Sequence, residues 1–216
     1  MKVSSLLGLS VLSLALSLTG CKDTDTDNLS RIKSYPSLEL VGDEFIVINV
    51  GETFTDPGVD AALAGQAVTP TITGAVNTAT PGIYRLTYTA ANTEGDEVSA
   101  VRSVIVTDPA VNNLDQSGNF QRTGFALSPV TKVGNKGLYR IDNFGFTSAP
   151  NLFTAYFAQT TPNTIVVPSQ TIENLGYTNF ASVAGVFTAG QLTRITYAIQ
   201  APAVFGTTAR SANRVP

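Results

Sequence analysis

From Leu38 onward the apolar positions recur with period two rather than 3.6. Leu38-Glu39-Leu40-Val41, Glu44-Phe45-Ile46-Val47-Ile48, Ile83 to Ala90 and Val98 to Val106 alternate, or run β-branched and aromatic. Gly42-Asp43, Asn49-Val50-Gly51, Asp56-Pro57-Gly58, Thr80-Pro81-Gly82 and Glu94-Gly95-Asp96 bound them as turns. Short strands at this spacing predict a β-sandwich. Phe54, Val59, Tyr84, Leu86 and Tyr88 are the expected inward-facing set. The second half reads the same way. Gly137–Asp142, Phe153–Ala158, Asn163–Val167, Ser182–Phe187 and Leu192–Ile199 are strand-like, and Thr188-Ala189-Gly190-Gln191 joins the last two as a hairpin. Past residue 20 no window of 12 residues or more supports an amphipathic helix. The expectation is therefore all-β: a sandwich over 38–108, a linker at 109–113 and a second antiparallel sandwich or small barrel over 114–216.

The front of the chain departs from this pattern. Lys2 is the one charge among the first twenty residues, and an apolar run follows from Leu6 to Leu18. A bilayer span needs roughly 20 apolar residues, so the run is short for one and reads as the core of a secretory signal peptide over 1–20. Leu18-Thr19-Gly20-Cys21 then resembles the bacterial lipobox. That resemblance implies cleavage before Cys21, acylation of its thiol and amine, and anchoring in outer-membrane lipid. Acyl chains at ~0.8 kcal/mol per buried CH₂ hold a protein firmly without a spanning helix. Lys22 stands where inner-membrane retention would want Asp. The Lys-acidic stretch Lys22–Asn28 resembles a surface-export signal, which places the expected location on the exposed face of the outer membrane. The alternating Asp23, Asp25 and Asp27 do not make an EF-hand loop, whose sixth and twelfth positions need Gly and Glu where Asn28 and Ser34 stand. Residues 21–37 read as a solvated tether.

Composition narrows the chemistry. The 216 residues include no His, no Trp and one Cys, and 13% are charged, against about 25% on average. Without His there is no Ser-His-Asp or Cys-His machine and no ordinary neutral-pH acid/base. One Cys leaves no intramolecular disulfide and no Cys-cluster metal site. Net charge changes sign along the chain. From Cys21 to Asp108 there are 5 basic and 13 acidic side chains; from Pro109 to Pro216 there are 7 and 3. The basic charges of the second half are scattered, so nucleic acid is not an expected partner.

Two further resemblances rest on motifs. Gly51-Glu52-Thr53-Phe54-Thr55-Asp56-Pro57-Gly58-Val59, then Thr80-Pro81-Gly82-Ile83-Tyr84, then Arg102-Ser103-Val104-Ile105-Val106 resemble the bacterial-surface Ig-like family. This implies an Ig-like sandwich serving as spacer or adhesion module, with no catalysis. Ser117–Thr123, Val130–Gly134 and Tyr139–Asp142 are similar to the C-terminal domain of surface lipoproteins from glycan-uptake loci. That similarity implies a β domain beside an outer-membrane transport complex.

Chemistry-bearing residues are few. Glu52 reads as a strand-end charge and Asp56 as an Asx-type turn cap. A glycosidase needs two carboxylates about 5 Å apart, or roughly 6.5–9.5 Å for inversion. The second half offers Asp115, at the linker, Asp142, whose ordinary role is an Asx turn, and Glu173; an Asp142/Glu173 pair is the one alternative, and it is disfavoured. The expectation is a protein that is not an enzyme, with no cofactor and no metal. Glycan binding is the expected role, and with no Trp the platform must be Tyr or Phe. Phe144-Gly145-Phe146 and Tyr177-Thr178-Asn179-Phe180 look most loop-like. The candidate ligand-binding set is Arg140, Asn143, Phe144, Phe146, Tyr177, Asn179 and Phe180, with Tyr139 and Tyr156 as further rings. The alternative is a spacer or scaffold that docks an outer-membrane partner without binding glycan.

Overall fold

Strand β1 (Pro36–Leu40) pairs antiparallel with β3 (Val59–Leu63), which turns into β4 (Gln66–Ala67). Against this three-stranded sheet lies a four-stranded one, in the order β2 (Phe45–Asn49), β7 (Glu97–Thr107), β6 (Gly82–Ala91), β5 (Thr71–Thr73), with β2 parallel to β7. This computed structural model describes residues 33–148, 152–206 and 208–216. The expected leader, Cys21 and nearly all of the tether lie outside the described residues. Pro36 and Ser37, expected in the tether, already pair with Leu63 and Ala62.

The two sheets are joined by Arg102, whose side chain is 0% exposed although its residue type is almost never fully buried. Its Nη1 donates to Asp56 Oδ1 at 2.6 Å, its Nη2 to the Val41 carbonyl at 2.6 Å and its Nε to the Asp43 carbonyl at 3.2 Å. Tyr88, also fully buried, donates its hydroxyl to the same Asp56 oxygen at 2.7 Å. The Gly58 amide adds a third bond at 3.1 Å, closing the Asx turn that Asp56-Pro57-Gly58 predicted; Gly58 itself sits at φ +80°, where a side chain would be strained. Burial alone would raise the Asp56 carboxyl. The bonds from Tyr88, Gly58 and Arg102 outweigh that and hold it below its ordinary value. Burial and the Asp56 contact push the Tyr88 phenol up to about 12. The Asp of the first motif and the Arg of the last are thus two halves of one ion pair.

Residues 109–113, expected as a linker, are built into the structure instead. Pro109–Val111 form a 3-10 turn capped by the Asp108 carboxylate, and Val111 is fully buried. Gly137 makes room for it: at φ +79°, a Cβ there would stand 2.8 Å from Val111 Cγ2.

The second half forms one antiparallel sheet of eight strands. Its order is β12 (Thr164–Val166), β11 (Ala155–Thr161), β10 (Leu138–Ile141), β9 (Leu127–Val133), β8 (Gly118–Gln121), β17 (Arg210–Val215), β16 (Gln191–Ile199), β15 (Phe180–Thr188). The end strands β12 and β15 come into contact, so the sheet is a nearly closed barrel. A two-stranded hairpin, β13 (Gln170–Ile172) and β14 (Gly176–Thr178), and a one-turn helix α1 (Pro202–Phe205) complete it. Phe120, Tyr139, Phe157, Leu192, Ile195 and Tyr197 are among the buried residues of its core. Arg214 helps close the cylinder: its guanidinium lies over the Phe120 ring and donates to the carbonyls of Leu192, Ser117 and Gln116, each at 2.8 Å.

Along β2 and β7 apolar side chains occupy both faces. Ile46, Ile48, Val104 and Val106 enter the sandwich core, whereas Phe45, Val47 and Ile105 meet Leu138, Tyr156, Ala158 and Val166 of the barrel wall. Polar contacts flank this second core. Lys136 pairs with Glu52, Arg85 Nη2 donates to Ser169 Oγ at 2.6 Å, and the Asp108 amide donates to the Thr160 carbonyl at 2.8 Å. Tyr35–Pro216 accordingly forms one compact unit.

Asp56→Asn leaves the buried Arg102 without its counter-charge and should cost roughly 3 kcal/mol, the low end for a severed buried pair since Asp56 keeps some exposure. In a chain of this size that is a fall of about 6–12 °C in Tm by thermal denaturation. Because the Asp56 carboxyl is held low, its contribution is complete above the ordinary carboxylate range, around pH 4, and drains away as pH falls below it. Glu52→Gln, at the solvent-facing Lys136 pair, should shift Tm far less. Equal losses from both would contradict the role given to Arg102.

Candidate functional site

The structure divides the expected ligand-binding residues sharply. Phe144 and Phe146 are both 0% exposed. Phe144 packs edge-on or tilted against Phe153, Phe180 and Phe205 with centroids 5.6–6.1 Å away, and Phe146 lies 5.2 Å from Tyr197. Neither ring has a face to offer a ligand. This corrects the loop reading of Phe144-Gly145-Phe146: the segment turns, but it turns inward, with Phe146 at φ +49°. Asn143 is buried beneath it. Its Nδ2 donates to the Thr147 carbonyl at 2.8 Å and its Oδ1 accepts the Thr147 amide at 3.2 Å, so it clasps the turn. Phe180 is half-buried, edge-on to Tyr197. Tyr139 stacks on Phe157 in the barrel, and Tyr156 meets Phe45 at the junction. Arg140 is exposed and engaged by Asp142 through two contacts of 2.8 and 3.2 Å. Asn179 accepts Ser169 Oγ at 2.6 Å, the same hydroxyl that Arg85 reaches.

Tyr177 alone of the set presents an exposed ring, 45% accessible, and it does so inside a cleft. The cleft is about 420 Å³ and lies between the Ig-like sandwich and the barrel's hairpin. Leu40, Ser99, Ala100 and Val101 form one side; Thr171 and Tyr177 of the hairpin form the other; Glu44 completes it. The hairpin is firmly seated. The Gln170 amide bonds the Tyr156 backbone at both ends, accepting its N–H at 2.7 Å and donating to its carbonyl at 2.9 Å, and Ile172 is buried in the barrel core. Thr171 N–H donates to Glu44 Oε1 at 3.3 Å, tying the hairpin to the sandwich. Burial pushes the Glu44 carboxyl up, and that one N–H offsets it in part.

A firmly held tyrosine face, an apolar wall and a carboxylate acceptor in one cleft are the ingredients of a small-ligand site. The position of Tyr177 was legible in its Gly-Tyr-Thr-Asn surroundings. Glu44 was not, because 133 residues separate it from Tyr177 and only the packing of sandwich on barrel joins them.

The fold defines a two-part all-β protein, an Ig-like sandwich packed on a nearly closed eight-stranded sheet. Residues 38–106 match the family model described as "Bacterial surface protein, Ig-like domain", so the first body is an Ig-like domain of that surface-protein type. Among solved structures, the chain is similar to the lipoprotein BT2262 from Bacteroides thetaiotaomicron: 22% identity, 82% of this chain and 98% of that one, TM-score 0.37. It is also similar to a structure containing CBM51-2 in complex with GlcNAc and INT domains from Clostridium perfringens ZmpB: 11% identity, 84% of this chain and 41% of that one, TM-score 0.29. No curated protein matches the sequence.

Because Phe146 fills the barrel core, Phe146→Ala should cost about 3–5 kcal/mol. Chemical denaturation should show this as a fall in midpoint at unchanged m-value. A variant as stable as the parent would return the ring to the surface.

Proposed function

We propose that this protein is a surface lipoprotein held in the outer membrane by acylated Cys21, and that it assists capture of an extracellular glycan beside an uptake complex without catalysing a reaction. The observation that carries this reading is the Tyr177–Glu44 cleft. Sugars present apolar C–H faces ringed by hydroxyls, which suit an aromatic platform with an adjacent acceptor. The Ig-like domain supplies the surface-display context. It also supplies half of the cleft, since Leu40, Glu44 and Ser99 to Val101 belong to it. A spacer would hold the C-terminal body away from the membrane; here the Ig-like domain is itself part of the ligand surface.

Electrophoresis through polysaccharide gels tests the proposal. Wild type should be retarded on at least one glycan, and Tyr177→Ala should lose that retardation. Its exposed side chain lies outside the core, so stability should move by no more than about 0.5 kcal/mol. Unchanged mobility across a broad glycan panel would favour the scaffold reading. Separately, a palmitate analogue should label wild type in cells, and Cys21→Ser should remain unlabelled.

A further inference from the structure

The geometry points to a ligand for the Tyr177–Glu44 cleft that carries a positive charge: a sugar with a free ammonium group. This rests on the glycan-capture reading and narrows its substrate class. Among the described residues, Glu44 is the one charged residue lining the cleft. Among the described residues no Lys or Arg pairs with it, and its bound partner is a neutral amide N–H. Asp56, Glu52 and Asp142 are by contrast paired with Arg102, Lys136 and Arg140. A half-buried carboxylate left without one is costly when charged, and a ligand cation offsets that cost better than a hydroxyl.

The surroundings add to the bias. An exposed tyrosine face beside a carboxylate attracts cations through the negative face of its ring. By strand alternation Glu97 shares the face of β7 that carries Ser99 and Val101, and Asp43 precedes Glu44. Glu173 lies in the turn of the hairpin that carries Tyr177. Over residues 38–108 there are ten acidic side chains and two basic, Arg85 and Arg102, and both of those are engaged, by Ser169 and Asp56. This excess of acidic side chains on the sandwich favours the approach of a cationic ligand over an anionic one.

Soluble β-1,4-linked oligomers of glucosamine, N-acetylglucosamine and glucose, equal in length, differ at C2 in the required way: ammonium, acetamide and hydroxyl. Calorimetric titration just below neutral pH should find the glucosamine oligomer bound about tenfold more tightly than the other two. Glu44→Gln should abolish that preference. Tyr177→Ala should weaken whatever binding remains for all three. Glu39→Gln, an equal change in net charge outside the cleft, should leave the preference intact. Equal affinity for the three oligomers, or an equal loss from Glu39→Gln, would overturn the ammonium assignment and leave glycan capture standing. The assignment also fails if none of the three binds while another polysaccharide still retards the protein. Failure on every glycan tried would remove the capture reading with it.

Discussion

The C-terminal half of strand β7, Arg102 to Thr107, is buried on both faces, and the arrangement of the molecule follows from that constraint. Arg102, Val104 and Val106 look into the Ig-like sandwich; Ser103, Ile105 and Thr107 look out of it and are covered by the rest of the chain. An isolated sandwich keeps its outer face wet and polar. Here the outer faces of β2 and β7 present Phe45, Val47 and Ile105, each needing cover worth about 1.5–3 kcal/mol if complete. The barrel wall at β10, β11 and β12 provides it. The packing that results fixes the hairpin against the sandwich and so creates the cleft.

The ion pair inside the sandwich serves a different end. Two unlike sheets could slide on an apolar interface, but Arg102 ties Val41, Asp43, Asp56 and Tyr88 to one point through directional bonds. Such a pair contributes less to net stability than to register, because its desolvation cost offsets much of its attraction. The same logic, at lower stakes, recurs at the junction. Lys136 with Glu52 and Arg85 with Ser169 flank an apolar centre and choose the orientation in which the acidic first body meets the mildly basic second.

Much of the fold was readable from the chain. Period-two patterning and turn residues gave the all-β class, and the Ig-like segment coincides closely with the family match. Tyr88 and Leu86 are buried as expected, and the Asx turn at Asp56 is present. Two segments differ in burial from what their composition suggests, for identifiable reasons. Phe144-Gly145-Phe146 looked like a surface loop because Gly and Asn flank it, but Asn143 turns its polarity inward to satisfy backbone groups, a use of Asn that composition does not reveal. Pro109–Asn113 looked like a linker because Pro and Asn break strands; they also start 3-10 turns, and Val111 was the clue that this one is buried. The signal for a second covered face was present in Phe45-Ile46-Val47-Ile48 and Val104-Ile105-Val106, which lack the polar alternation of a half-exposed strand. Nothing local to Glu44 or Tyr177 announced that they would meet.

The sandwich and barrel share the core around Ile105, Leu138 and Ala158, and the geometry of the cleft depends on it. Differential scanning calorimetry on the chain from residue 33 tests that directly. A shared core predicts a single transition whose calorimetric and van't Hoff enthalpies agree. Two resolved transitions, one for residues up to Asp108 and one for the remainder, would contradict it and would leave the cleft without a fixed geometry.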